Sequence, residues 1–397
     1  MGPVLNTMGV NVGASDGDSR DGIRRNFAAP CVPPGEPMSA HGLTETPAPA
    51  QLGVREFADY SLVIDARSPR EYAEDHLPGA VNLPVVDDEQ YAEVGTRHKD
   101  DKHGAYLIGV EYSLRNIADQ IKPLISRYGS SDRFLVYCFR GGKRSRLWAD
   151  NLRTIGFEVD VLAGGWKRYR QWVRESLAAL SPTLRYRVLA GPTGCGKTRL
   201  LTELERQGHQ TLDLEELASH RGSLLGTLPD RPQPTQKWFD SLLLARMRML
   251  DPERTVWIEA ESKKIGNLQI PENLFEAMHR SPVIQLSAPM AERVRLWRED
   301  YPHFAADPVG MVEKLVPLKP LVGGEVLATW QALAASGEVD ALFESVMLRH
   351  YDPCYARSTR RNYGGEGQQL TFPLQGLDKA SLEDAVRRLA GHAGQAG

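Results

Sequence analysis

The chain has 397 residues, 41% hydrophobic and 25% charged, with a formal net charge of −3 and four cysteines. That length accommodates two or three domains with separate cores. Cys31, Cys138, Cys195 and Cys354 are too far apart for a disulfide framework or a zinc cluster. The near-neutral charge excludes a globally basic nucleic-acid binder, so any RNA surface must be a local patch. No apolar run reaches the length of a membrane span and no secretory signal pattern opens the chain, so a cytoplasmic protein with no membrane partner is expected.

In chain order, residues 1–50 are rich in Gly, Pro, Ala, Ser and Asp without apolar periodicity, and read as a disordered tail. Met38, inside that stretch, is a candidate for the true start of translation. Residues 51–180 alternate short apolar runs with helical stretches. Strands are predicted near 61–65, 134–138 and 159–162, and helices over 110–128 and 145–155, the latter closing on Gly156. Ser181-Pro182 marks a boundary, and residues 181–310 form a second unit. Its strands are expected at 185–190, 211–213, 255–259 and 283–286, with helices at 236–250 and 290–300. Residues 311–385 read as mainly helical and 386–397 as a flexible tail. The predicted fold class is α/β: a small α/β domain, then a phosphate-loop α/β domain with a mainly helical C-terminal part.

Cys138 stands where a strand gives way to a helix, followed by Arg140, Gly141, Gly142, Lys143 and Arg144. Glycines let the backbone curl so that successive N–H groups face an anion. The helix N-terminus and nearby cations lower a thiol pKa, and the thiolate is the nucleophile. Upstream, Asp65-Ala-Arg67 leads to His76-Leu-Pro-Gly79, and these stretches with the cysteine loop closely resemble the rhodanese family. In that family the cysteine carries sulfur as a persulfide; Asp65 and Arg67 are expected to brace the loop. The Arg144-Ser145 pair stands one residue further from the cysteine than single-domain rhodaneses usually place it. Cys138 and Arg144 therefore also match C-x5-R, the anion loop of cysteine phosphatases. A longer loop can enclose a larger, phosphate-shaped anion. Tyr137 occupies the place where such phosphatases commonly have histidine, and no general-acid Asp is evident. The pattern specifies an anion-binding thiolate without naming its substrate.

Residues Gly191, Thr193, Gly194, Gly196, Lys197 and Thr198 lie in a G-x-x-x-x-G-K-[ST] segment between an apolar strand and a helix. Its N–H groups would cradle a di- or triphosphate, Lys197 would neutralise charge, and Thr198 could ligate Mg2+. No tightly bound cofactor is expected. Glu259 and Glu261 are the candidates for the Walker B position, where an Asp is usual. That departure argues against ordinary ATP hydrolysis.

The two units in succession resemble bacterial tRNA 2-selenouridine synthases over about residues 52–355. The stretches that carry the match are Tyr137–Ser145, Gly164–Tyr169, the phosphate loop, Asp213–Ser223, Gln233–Lys237, Glu259–Gly266 and Tyr351–Tyr355. The resemblance implies a tRNA substrate carrying 2-thiouridine at the wobble position, whose sulfur is replaced by selenium from selenophosphate. It also implies geranyl transfer from geranyl diphosphate to that sulfur, giving an intermediate with a better leaving group, and selenophosphate synthetase as a partner. On this reading the Cys138 loop takes selenophosphate and the phosphate loop takes the prenyl diphosphate. Arg221, Lys237, Lys263 and Lys264 are candidate tRNA contacts, as are His220 and the cluster Arg293, Arg295 and Arg298. The aromatic and basic residues Trp166, Lys167, Arg168, Tyr169, Arg170, Trp172 and Arg174 are a further mixture that could meet RNA, although aromatics packed between domains and a solvated basic face are the stronger reading. Rival readings are a cysteine phosphatase joined to a kinase-like unit, an ATP-assisted sulfurtransferase, and a non-enzymatic RNA-binding scaffold.

Overall fold

The computed structural model describes residues 48–363 and 369–393. Cys31, Met38 and all but the last three residues of the expected N-terminal tail lie outside the described residues; Pro49–Leu52 is a short 3-10 turn. Two parallel sheets organise the chain. The strands of the first are β1 (Leu62–Asp65), β2 (Val81–Asn82), β3 (Arg133–Tyr137) and β4 (Glu158–Val161), in the order β2-β1-β3-β4. All of β1 and four of the five residues of β3 are buried. This is why they read as continuous apolar runs rather than alternating ones.

Parallel neighbours need long crossovers. Here these include α1 (Pro69–Glu74), α2 (Asp88–Asp100) and α3 (Lys102–Ile125) between β1 and β3, and α4 (Lys143–Ile155) between β3 and β4. Helix α3 begins eight residues before the expected start at 110, because Asp101 caps it by accepting from the Gly104 N–H at 2.8 Å. Gly156 ends α4 in the left-handed region, where a Cβ would be strained.

The helix that matters most for assembly, α5 (Gly165–Leu180), carries its large residues at helical spacing. Trp166, Tyr169, Trp172, Val173, Leu177 and Leu180 are buried in one cluster with Leu135 and Tyr137 from β3. The same cluster holds Tyr186 and Val188 from the second sheet, and Phe239, Leu243 and Leu244 from the helix Gln236–Met247. Each such burial stabilises by roughly 1.5–3 kcal/mol, so one apolar face of α5 joins both sheets into a common core. The aromatic residues are therefore packed between the domains, the alternative to an RNA surface that the sequence favours. Arg170 is buried with them: it donates to Lys237 O (2.8 Å), Ser241 Oγ (3.0 Å) and Asp240 Oδ2 (2.8 Å). Nearby, buried Asp75 accepts from Trp166 Nε1 and Ser241 Oγ, both at 2.8 Å. Burial pushes the Asp75 carboxyl up to about 6, against the lowering effect of Arg170 and these hydrogen bonds.

The second sheet is built from β5 (Arg185–Ala190), β6 (Gln210–Leu212), β7 (Thr255–Glu259), β10 (Val283–Ser287) and β11 (Gln369–Pro373), in the order β11-β10-β5-β7-β6. Between β7 and β10, β8 (Lys264–Ile265) and β9 (Leu268–Gln269) form a small antiparallel hairpin. The helices framing this sheet include α6 (Lys197–Arg206), α7 (Leu214–Ala218), α8 (Gln236–Met247), α9 (Glu272–His279) and α10 (Met290–Asp300).

Strand β11 corrects the expected domain limits. It lies in the stretch read as helical, yet pairs in parallel with β10 over its whole length, from Val283↔Gln369 to Ser287↔Pro373. The phosphate-loop sheet is therefore completed from beyond residue 310. The helix Lys379–Ala393 likewise occupies most of the stretch expected to be a tail from 386; residues 394–397 lie outside the described residues. Most of 302–363 is helical, as the sequence suggests, and packs around Trp297, Trp330 and Phe343. Among the described residues no helix is long and apolar enough to cross a membrane.

Candidate functional site

Two candidate anion loops stand at the C-terminal ends of parallel strands, where open α/β sheets bind ligands. In the first, β3 ends at Tyr137 and Cys138 follows, buried at 3% exposure. Gly142 donates its N–H to Cys138 Sγ at 3.3 Å, and Ser145 Oγ lies 3.4 Å from the sulfur. Ser145 Oγ also reaches Gly142 O at 3.0 Å, so one hydroxyl ties the thiol to the loop apex. Burial alone would raise the Cys138 pKa. The Ser145 side chain and N–H, the Gly142 N–H and the Arg144 charge outweigh it and hold the thiol below its ordinary value.

Arg144 is fixed by Glu71, which accepts at 2.5 Å and 3.3 Å from the two terminal nitrogens. Glu71 in turn caps α1 by accepting from the Ser68 N–H. Gly141 is left-handed (φ 66°), and a Cβ there would lie 2.5 Å from Leu162 O. The loop can therefore fold only with glycine at its turn. Lys143 Nζ sits 3.7 Å from the Tyr106 ring centre, and exposed Arg140 leans on Phe139.

Asp65 and Arg67 lie beneath this loop, essentially inaccessible, paired at 2.6 Å. Arg67 also donates to Asp75 O and stacks over Trp166. Both are too buried and too fully engaged to meet a substrate. They connect the loop's floor to α5, whose Trp166 backbone N–H donates to Cys138 O at 2.8 Å. His76 lies stacked between Tyr72 and Trp238, with ring centres 3.8 and 3.9 Å away, and so packs the junction between the two halves.

The second loop runs from β5 into α6. Gly194 and Gly196 are left-handed (φ 78° and 86°), and a Cβ on Gly196 would collide with Leu377 at 2.6 Å. Lys197 Nζ donates to Gly191 O at 3.0 Å and lies 5.8 Å from the Tyr355 ring centre. Burial alone would lower the Lys197 pKa. The neighbouring Cys195, Tyr355, Glu215 and Glu261 outweigh it and raise the pKa above its ordinary value, so Lys197 stays charged.

Behind the phosphate loop stand three carboxylates. Glu215, Glu259 and Glu261 each present an oxygen within 4.8 Å of the others. Thr198 Oγ1 donates to Glu215 Oε2 at 3.3 Å. Glu259 is fully buried; its Oε1 accepts from the Glu215 N–H at 2.9 Å, while Oε2 has no hydrogen-bond partner among the described residues. Burial, then repulsion from Glu261 on Glu215 and from Asp213 on Glu259, pushes both well above the usual carboxylate range. Burial also raises Glu261, although Lys197 opposes the shift. A hydroxyl and three crowded carboxylates, one with an orphaned oxygen, form a hard-oxygen donor set that fits Mg2+. Glu215 went unassigned in the sequence; its signal is an acidic residue two positions past the Asp213 that follows β6.

The cleft in front of this loop has a volume of about 320 Å³ and is lined on its far side by His220, Arg221, Trp297 and Tyr301. Arg221 donates to Asp300 O, lies 4.7 Å from the Tyr301 ring centre and lines this cleft. Cys195 is buried beneath the loop and burial pushes its thiol up, the opposite of Cys138.

The candidate tRNA contacts Lys237, Lys263 and Lys264 lie on the helix Gln236–Met247 and on the hairpin beside it, which Gln236 and Gln269 join by two hydrogen bonds. Lys237 pairs with Glu74 and lies over Trp166, at the junction of the two halves. Lys263 pairs with Glu272, and Lys264 is exposed on the β8–β9 hairpin. Lys263 shares a groove with Arg174, on the solvent side of α5.

A family model described as the tRNA 2-selenouridine synthase AAA domain matches residues 184–310, and one for the rhodanese-like domain matches residues 51–171. The tRNA 2-selenouridine synthase of Nitrosomonas europaea is 34% identical over 258 residues, covering 64% of this chain and 66% of that protein. Its counterpart in Nitrosomonas eutropha is 35% identical over 260 residues, covering 64% and 65%. The one in Hydrogenovibrio crunogenus is 35% identical over 251 residues, covering 60% and 67%. The match thus spans just under two thirds of the length of the two Nitrosomonas relatives.

Proposed function

The chain belongs to the tRNA 2-selenouridine synthase family, and from that premise we propose that it replaces the sulfur of wobble 2-thiouridine in tRNA with selenium from selenophosphate, through a geranylated intermediate. The observation that carries this reading is the presence, in one chain, of two anion loops of different chemistry: a depressed thiol for a small anion and a lysine-bearing loop for a diphosphate.

In the first half-reaction the base sulfur attacks the first carbon of geranyl diphosphate. A C–S bond forms, the C–O bond breaks, and the departing diphosphate stays on the loop N–H groups and Lys197. Thr198, Glu215, Glu259 and Glu261 would hold a magnesium ion, which supplies positive charge to the diphosphate. In the second half-reaction selenium bonds to the base carbon and geranylthiolate leaves. Alkylation matters because a thioether sulfur leaves far more readily than a thiocarbonyl sulfur. Selenophosphate synthetase is the partner that would supply the donor.

The test is mass spectrometry of nucleosides from 2-thiouridine tRNA incubated with the chain and both donors, each omitted in turn. The expected result is a geranyl mass gain without selenophosphate and selenouridine when both are present. An unchanged base with a folded chain would contradict the reading; hydrolysis of aryl phosphate would favour a phosphatase, and thiosulfate-dependent transfer a sulfurtransferase.

A further inference from the structure

We infer that Cys138 attacks selenophosphate at phosphorus, not at selenium, so that the cysteine carries the phosphoryl group while hydrogen selenide is released beside the base. The inference rests on the selenation reading above and specifies the chemistry of its donor step.

The loop geometry suits phosphorus. Cys138 and Arg144 stand at the spacing that closes around a tetrahedral anion, and Glu71 fixes Arg144. Gly142 N–H and Ser145 Oγ, at 3.3 and 3.4 Å, stabilise the thiolate both when it attacks and when it is later expelled.

The electron balance gives the same answer. Transfer of selenium to the thiolate would make a perselenide and phosphite: selenium is oxidised, phosphorus is reduced, and freeing the selenium afterwards needs an external reductant. Attack at phosphorus changes neither oxidation state. The S–P bond forms, the P–Se bond breaks, and the electron pair leaves with selenium as HSe−. That anion displaces geranylthiolate at the base carbon. Water then cleaves the S–P bond, giving inorganic phosphate and the Cys138 thiolate.

The surrounding carboxylates point to the same leaving group. Glu71 is engaged by Arg144, Asp65 by Arg67, and Asp75 by Trp166 and Ser241. An alcohol expelled from a phosphate ester needs a proton from a nearby acid. Hydrogen selenide is a far stronger acid than an alcohol, so its anion leaves unaided. The loop should therefore cleave selenophosphate and leave alkyl phosphates intact.

The experiment is a rapid-quench incubation of the full chain with 32P-labelled selenophosphate without tRNA, with released selenide trapped by an alkylating reagent. A parallel reaction offers selenophosphate and RNA already bearing geranylated 2-thiouridine. The expected result is 32P on Cys138 with stoichiometric trapped selenide, no label on Cys138→Ser, and at least about tenfold slower labelling in Arg144→Lys. Thermal unfolding checks that both variants are folded. Selenium on Cys138 with phosphite in solution would overturn the inference. So would selenouridine formed with no 32P ever on the cysteine, which leaves the selenation reading standing. Failure of both labelling and selenation by a folded chain would remove the reading and the inference together.

Discussion

The Cys138 loop and the phosphate loop both follow a parallel strand and open a helix, yet the groups behind them differ in charge. Behind Cys138 stands a cation, Arg144, held in place by Glu71. Behind Lys197 stand three carboxylates, Glu259 buried and Glu215 and Glu261 half-buried, whose pKa values are all raised. The first environment stabilises an anionic nucleophile; the second is incomplete without positive charge. On the proposed reading, the same strand–loop–helix scaffold yields a thiolate site or a cation-dependent diphosphate site according to what packs beneath it.

The largest expected effects separate the two. Lys197→Ala should lower geranyl transfer by at least about a hundredfold, while Cys138→Ala should abolish selenation of a pre-geranylated base and spare geranyl transfer. Both are read by single-turnover nucleoside analysis. Next comes the junction that holds the loops in one body. Arg170→Ala strips Asp75 and Asp240 of their cation inside the core, and should cost about 3–5 kcal/mol in thermal or denaturant unfolding. A cost under about 1 kcal/mol would show that α5 binds the halves through its apolar face alone.

A smaller effect probes the carboxylates. Their folded pKa values exceed the unfolded ones, so the folded chain binds more protons. Stability should therefore fall as pH rises from the ordinary glutamate range through the raised values. Mg2+ should restore it. Glu259→Gln should flatten the slope and stabilise the metal-free chain by about 1–3 kcal/mol at alkaline pH, as read by unfolding midpoints with and without Mg2+. The smallest effect belongs to the exposed cations: Lys263→Ala should weaken tRNA binding only about two- to threefold, with a shallower salt dependence.

Much of this architecture was legible in the sequence where local pattern and tertiary context agree. The strands Arg185–Ala190 and Thr255–Glu259 and the helix Met290–Asp300 lie where apolar runs and turn residues place them. Strand β11 was not legible, because Gln369–Pro373 is short and its parallel partner β10 lies more than eighty residues earlier. The same limit applied to α5. Its alternating aromatic and basic residues favour a seam between domains over an RNA surface, but only the second sheet decides that Trp166, Tyr169, Trp172 and Arg170 face inward. Lys237 and Glu74, far apart in sequence, meet only because that seam forms. Motif residues at fixed local spacing were visible, whereas Glu215 offers only an acidic position just past β6, and its place beside Glu259 and Thr198 is set by strand order.

The most direct measurement is a relay. Cys138→Ala would first be given 2-thiouridine tRNA and geranyl diphosphate; the recovered tRNA would then be given to Lys197→Ala with selenophosphate. If the loops divide the chemistry as proposed, geranylated base accumulates in the first stage and becomes selenouridine in the second. If the first stage leaves the base unchanged, or the second cannot convert a geranylated base, the assignment of one half-reaction to each loop is wrong.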